Sequence, residues 1–157
     1  PMFESEGAFT IVHSPSNKEF KGTDQITKAV EQLEQQYNIE YRLLSGVDHD
    51  EVIKTIRNAD LVIDQMYVGT FGLISLEAMT LGTPTICYIK DEYYERYPNE
   101  LPISRATIDN LQEMIVDMII NDEKQNKVAR EGRSYIESYH SLPVVGEELE
   151  NLYKSLL

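Results

Sequence analysis

Short runs of β-branched and aliphatic residues alternate along this chain with longer segments whose apolar positions recur every three or four residues. Ala8 to His13 (AFTIVH) reads as a strand. Thr23 to Tyr37 follows as a helix capped by Thr23, with Ile26, Ala29, Val30 and Leu33 as its apolar face. Ile39 to Leu44 is a second strand, and Asp48 to Asn58 a second helix in which Asp48 and Glu51 stand at capping-box spacing. Leu61 to Asp64 is a third strand, followed by a glycine-bearing loop, Gly69-Thr70-Phe71-Gly72. Leu73 to Leu81 is a helix apolar nearly all round, stopped by Gly82 just past its end. Pro84 to Ile89 is a fourth strand, with the proline at the first residue, where a missing N–H costs least.

After Ile89 the texture changes. Asp91 to Tyr97 is acidic and rich in tyrosine, and Leu101 to Arg105 has the length of one more short strand. Helices are predicted over Thr107 to Asn121, Glu123 to His140, and Pro143 to the end. Strands alternating with helices predict an α/β fold: a Rossmann-like, doubly wound parallel sheet with helices on both faces. No internal repeat or long linker divides the chain, so residues 1–141 read as one domain. A Ser-Leu-Pro break at Ser141 to Pro143 sets off 142–157 as a helical arm of that domain. Ligands of such sheets bind beyond the carboxyl ends of the strands. Four loops occupy that edge here: His13 to Gly22, Ser45 to Asp48, Gln65 to Gly72, and Ile89 to Glu92.

Composition narrows the chemistry. The 157 residues suffice for one domain with its own core, and 41% hydrophobic with 26% charged content fits an ordinary soluble globular protein. A formal charge of −13 argues against nucleic acid or an anionic membrane surface as general partners. Phosphate, if bound, must be met locally by a few lysines and backbone amides. No apolar run approaches the roughly 20 residues of a membrane-spanning helix. Pro1 to Gly7 shows no signal-peptide pattern, and a start at Pro1 without Met reads as an internal or trimmed piece. Cys87 is the only cysteine, which excludes an internal disulfide and a Cys-based zinc site and fits a reducing, cytoplasmic setting. It reads as a small apolar residue of a strand.

The third loop is the most informative. Gly69 and Gly72 flank Thr70 and Phe71 directly before a helix, where the backbone can approach a ligand and free N–H groups attract phosphate oxygens. Alone this is a weak signal, since any strand-to-helix turn can hold two glycines. Glu77 sharpens it, because a carboxylate among Ile74, Leu76, Ala78, Met79 and Leu81 needs a partner. Two adjacent ribose hydroxyls would serve, and so would an internal salt bridge. Lys18 and Lys21, in the first loop ahead of Gly22 and Thr23, could reach a diphosphate or be ordinary exposed lysines. His13 ends the first strand at the ligand edge, placed either to bond a phosphate or sugar hydroxyl or to serve the structure. His49 and His140 are too scattered to form a metal site with it. Tyr88, Tyr93, Tyr94 and Tyr97 read first as rings packed on the sheet, and otherwise as a border to a sugar or a partner domain.

The segment Leu61 to Tyr88, LVIDQMYVGTFGLISLEAMTLGTPTICY, resembles the donor-binding motif of family-4-like glycosyltransferases of GT-B fold. Those read as a Gly-aromatic-Gly loop, a helix carrying Glu-Ala-Met, and a small-Gly-x-Pro turn into a strand. Upstream, HSPSNKEFKGTDQITKAVEQL is similar to the family's first strand, loop and Lys-Gly helix start. The resemblance runs from about Phe9 to about Ser138 and implies the C-terminal, donor-binding half of a GT-B enzyme. It implies that Glu77 holds the nucleotide ribose and that Lys21 neutralises the donor diphosphate. Gly72 and Leu73, with the helix start they form, would face the phosphates, Gly69, Thr70 and Phe71 would belong to the same binding loop, and Ser45, Gly46 and Val47 would border the base. Two positions depart from the family pattern: Gly69 stands where a first Glu contacts the donor sugar, and Ser16 stands where an Arg is expected, with Lys18 nearby.

The implied activity is a retaining transfer of a hexosyl group from a UDP- or GDP-sugar to an acceptor hydroxyl, without cofactor or obligatory metal. The implied partners are that nucleotide sugar and an N-terminal acceptor-binding domain of the same chain, with no nucleic acid and no membrane span. The implied setting is the cytoplasm, with the full-length enzyme peripheral at the inner membrane face. The isolated fragment is expected to bind nucleotide but transfer nothing. Two other readings remain open: a non-catalytic donor-domain relic that binds nucleotide sugar or acts as a scaffold, and another GT-B enzyme such as a sugar-nucleotide epimerase.

Overall fold

The computed structural model describes residues 7–98 and 101–156, so the expectations for Pro1 to Glu6 and for residue 157 lie outside the described residues. Five strands form one parallel sheet: β1 (Phe9–His13), β2 (Ile39–Leu43), β3 (Leu61–Ile63), β4 (Thr85–Cys87) and β5 (Ser104–Arg105), in the order β2-β1-β3-β4-β5. The helices are α1 (Lys18–Lys21), α2 (Thr23–Leu33), α3 (His49–Arg57), α4 (Leu73–Leu81), α5 (Asp91–Tyr94), α6 (Leu111–Ile120), α7 (Asp122–Tyr139) and α8 (Leu142–Ser155). A 3-10 turn at Ile108–Asn110 precedes α6. This is the expected α/β architecture.

The alternation of side chains along each strand explains why helices cover both faces. Ile11, Leu61, Ile63 and Ile86 point to one side and pack with Ile26, Val30 and Leu33 of α2 and with Leu111, Ile115 and Met118 of α6. Val12 and Val62 point to the other and meet Val52 and Ile56 of α3 with Ile74 and Ala78 of α4. A third cluster joins Met79, Cys87, Ile89 and Ile103 to Tyr135 of α7, and Tyr93, Tyr94 and Tyr97 pack against it. Burial raises the Cys87 thiol above its ordinary range, in keeping with a structural residue. The tyrosine group is therefore built onto the core, as first expected.

Local differences have identifiable causes. The first loop contains the extra turn α1, capped by the Asn17 side chain accepting from the Phe20 N–H at 3.0 Å and closed by Gly22 in the left-handed region. Gly22 then begins α2, so Thr23 is not the cap; its hydroxyl is bound to His13 instead. Asp48 precedes α3 with extended backbone but makes no side-chain cap bond, so the expected capping box does not form there. Gly82 closes α4 in the left-handed conformation with φ 76°, as predicted. The terminal α8 buries none of its residues. None of the described helices is long and apolar enough to cross a membrane.

Candidate functional site

The order β2-β1-β3 places a topological switch point between β1 and β3, because the chain leaves β1 in one direction for β2 and returns on its other side. The crevice beyond the carboxyl ends of those two strands is where open α/β sheets take ligands. His13 ends β1, and Asp64 follows the last residue of β3, so both lie at this crevice.

Asp64 organises it. One carboxylate oxygen, Oδ1, accepts from Lys21 Nζ at 2.6 Å. The other, Oδ2, accepts from the Gly72 N–H at 2.5 Å and from the Ser75 hydroxyl at 2.7 Å. The Asp64 side chain is fully buried, while that of Lys21 keeps 15% of its surface. A buried carboxylate is tolerable when paired and hydrogen-bonded, and three donors achieve that here. The same contacts fix α1, β3 and the start of α4 to one another. Gly72 has an ordinary φ of −102°, but a Cβ there would stand 2.8 Å from Lys21 Nζ. A side chain at 72 would thus have to push the lysine ammonium aside.

The loop between β3 and α4 is held from beneath by Gln65, which is fully buried. Its amide nitrogen donates to the Thr70 carbonyl at 2.7 Å and the Tyr88 carbonyl at 2.6 Å, and its oxygen accepts from the Val68 N–H at 2.7 Å. Thr70 Oγ1 lies 2.6 Å from the Tyr97 hydroxyl, and the Phe71 ring packs on Tyr97 with centroids 4.9 Å apart. Two of the positions expected to face a ligand have partners within the fold. Phe71 fastens the loop to Tyr97, and the Gly72 amide, expected to face phosphate, is taken by Asp64.

Glu77 lies on α4, five residues beyond Gly72. It is not enclosed as its apolar neighbours suggested: its side chain keeps 29% of its surface, and Oε1 lies 3.5 Å from His49 Nε2. The buried face of α4 is Ile74, Ser75, Ala78 and Met79, while Leu73 is 75% exposed, so the helix presents Leu73 and Glu77 outward. His49 opens α3 directly after Gly46, Val47 and Asp48, all exposed, which brings the second loop next to Glu77. Gly46 has φ +73° and open space around it.

His13, left open between a ligand contact and a structural residue, makes its hydrogen bonds within the fold. It is fully buried, with Nδ1 2.8 Å from the Ile63 carbonyl and Nε2 2.9 Å from Thr23 Oγ1. Nδ1 faces a carbonyl, which requires the proton there, so Nε2 accepts from the threonine hydroxyl. Burial is the largest influence and pushes its pKa down to about 4, so the ring is neutral at pH 7. His13 braces β1, β3 and α2 beneath the crevice. Lys18 is exposed at the start of α1 and keeps its ammonium in water.

Residues 21–135 match the family described as Glycosyl transferases group 1. The chain belongs to that family. Over 123 residues it is 22% identical to the GDP-mannose-dependent monoacylated alpha-(1-6)-phosphatidylinositol monomannoside mannosyltransferase of Corynebacterium glutamicum, covering 73% of this chain and 32% of that protein. A mutant of S. aureus TarM, crystallised with Fondaparinux, alpha-GlcNAc-glycerol and UDP, superposes with a TM-score of 0.70 at 18% identity, over 93% of this chain and 35% of that one. The GtfA/B complex gives a TM-score of 0.74 at 14% identity, over 96% of this chain and 37% of that one. The chain thus has the Rossmann-like fold of a GT-B glycosyltransferase domain and spans about a third of the length of these relatives.

Within this glycosyl transferases group 1 domain, the two departures have a structural context. Gly69 has φ +86°, and a Cβ on it would stand 2.8 Å from Lys90 Cγ and 2.9 Å from Lys90 Cδ. The lysine stem therefore lies where a side chain at 69 would begin. Ser16 is exposed beside α1, two residues from Lys18. In the sequence alone, Asp64, Gln65 and Ser75 have no site role, and His49 is considered only as a metal ligand. The available signal was polarity: Asp64 and Gln65 directly follow three buried aliphatics at a ligand edge.

Proposed function

We propose that this chain binds the nucleoside-diphosphate sugar donor of a retaining glycosyltransferase. The observation that carries the reading is the meeting of Lys21, Asp64 and Gly72 at the β1/β3 switch point. Lys21 Nζ spends one N–H on Asp64, and its others have no protein acceptor among the described residues. It is thereby aimed at the start of α4, where a diphosphate would meet it together with the exposed end at Leu73. An ion pair carries no net charge, so Lys21 offers directed donors, and exposed Lys18 would add the uncompensated charge. Glu77, partly exposed one turn further along α4, would accept from the ribose hydroxyls, with Gly46 and Val47 bordering the base. Loop residues Gly69 and Thr70 would lie on the sugar side.

In the transfer, the bond from the anomeric carbon to the diphosphate oxygen breaks and a bond to the acceptor oxygen forms, the acceptor's proton leaving with the diphosphate. The protein's part is electrostatic: donors placed where charge develops on the leaving diphosphate. No metal is invoked in this scheme. The acceptor would be held by a further domain of a longer chain, so this portion alone would bind nucleotide without transferring sugar, in a cytoplasmic setting. The test is titration calorimetry with UDP, GDP and ADP on the native chain and on Glu77→Ala. Binding of one diphosphate with at least about tenfold weakening in the variant supports the donor site.

Asp64 also motivates a second reading. A buried carboxylate that already neutralises Lys21 weakens the site's attraction for anions, as in a non-catalytic relic. That reading predicts no diphosphate affinity and a Glu77→Ala variant that changes nothing.

A further inference from the structure

We infer that the glycosyl unit taken by this site is acidic, a pyranose bearing a carboxylate; the inference rests on the donor-binding reading above. Beside the loop lies an open pocket of about 440 Å³ lined by Val68, Thr70, Tyr93, Arg96 and Tyr97. That size suits a sugar ring with its substituents. Two tyrosine rings give the apolar face of a pyranose a surface to lie on, and the paired Thr70 and Tyr97 hydroxyls offer polar atoms at its edge.

Arg96 belongs to the lining of this pocket, and Lys90 lines the neighbouring one toward Arg105, on a segment that also carries Glu92 and Glu95. In a chain of net charge −13, two cations flank one ring: Lys90 Nζ lies 5.8 Å and Arg96 Cζ 5.9 Å from the centre of Tyr93. Neither has a carboxylate partner among the described residues. Asp91, the acid next to Lys90, is taken by Arg105. Lys90 is also fixed in direction. Its N–H donates to the Gly69 carbonyl at 2.9 Å, and its stem runs across the bare Cα of Gly69. Glycine at 69 is what admits the lysine there.

Three Cα–Cα steps of about 3.8 Å separate Gly69 from Gly72, so the loop spans at most about 11 Å. The Lys90 stem lies at the Gly69 end of this loop and Lys21 Nζ at the Gly72 end, so a diphosphate and its attached ring laid along the loop would meet both. A guanidinium and an ammonium beside an aromatic platform favour a carboxylate on that ring, since charge-assisted hydrogen bonds are about twice as strong as neutral ones. A neutral hexose would leave both cations with only the Tyr93 ring and water.

The test compares UDP-glucuronate with UDP-glucose, and GDP-mannuronate with GDP-mannose, by calorimetry on the native chain and on Lys90→Gln and Arg96→Gln. Both side chains belong to exposed residues, and thermal melts confirm that the variants fold. The expected result is at least about tenfold tighter binding of the acidic donor. Each variant should cut that preference severalfold, with affinity for the bare nucleotide as the control. Equal affinity for acidic and neutral donors, or a preference that survives both variants, overturns the inference. Should no nucleotide bind, the donor-site reading fails separately, and free glucuronate against glucose still probes the pocket. Amide shifts at Tyr93 and Arg96 that respond to glucuronate alone uphold it, and equal or absent responses reject it.

Discussion

Lys21 and Asp64 stand 43 positions apart in sequence and 2.6 Å apart in the fold, one on the turn after β1 and the other just past β3. Their pairing is unequal, because Asp64 is fully buried and Lys21 is partly wet. Removing either partner therefore has a different cost. Lys21→Met strands a buried carboxylate and should destabilise the chain by on the order of 3 kcal/mol. Asp64→Asn keeps an oxygen for the Gly72 and Ser75 donors and lets the lysine turn toward water, so about 1–2 kcal/mol is expected. Urea unfolding of both variants checks the order. An Asp64→Asn variant less stable than Lys21→Met would contradict the asymmetry.

Gly72 separates backbone strain from site geometry. Its φ is ordinary, so alanine fits the backbone, but the added methyl would press on Lys21 Nζ and on both Asp64 oxygens. Gly72→Ala should displace the lysine and lower nucleotide affinity at least about tenfold. The same substitution at Gly82, also a helix-terminal glycine but with open space around it and φ +76°, should cost about 1 kcal/mol of stability and leave affinity unchanged. Calorimetry and melting of the two variants side by side measure the contrast.

His13 makes stability depend on pH in a defined window. Its pKa is lowered from 6.5 to about 4 in the folded chain, chiefly by burial. The unfolded chain therefore binds the proton more readily between those values. The stabilisation is complete above about pH 6.5, shrinks as pH falls, and is exhausted below about pH 4. The whole effect is roughly 3 kcal/mol. His13→Gln, which cannot titrate, should flatten this part of the stability profile while lowering stability at pH 7. An unchanged slope between pH 4 and 6.5 would assign the dependence to other groups.

How much of this was legible beforehand follows from what each signal depends on. β3 is a fully buried aliphatic run, β1 and β4 are short and rich in β-branched residues, and α4 is bounded by two glycines, so their positions could be read directly. Glycine at 69 and 72 marked the site loop for the same local reason. Thr23 and His13 were harder. Each has a local role available, as a cap and as a ligand contact, and a long-range bond between them took precedence. Asp64 looked like the polar end of a strand because its partners come from α1 and α4, and no spacing in the sequence announces that meeting. The partial exposure of Glu77 does not follow from helix composition, which does not tell which face turns to the crevice. Lys90 became informative only when its stem was seen to cross Gly69.

The central claim is that a nucleoside diphosphate lies along the start of α4 between Lys21 and Glu77. An amide chemical-shift titration of the native chain with UDP and with GDP tests it most directly. The account predicts saturable shifts in one of them, concentrated at Lys21, Gly72, Leu73, Glu77 and the loop at Gly46 and Val47, and lost in Glu77→Ala. Saturable shifts confined to other surfaces, or a folded chain whose amides respond to neither nucleotide, would contradict it.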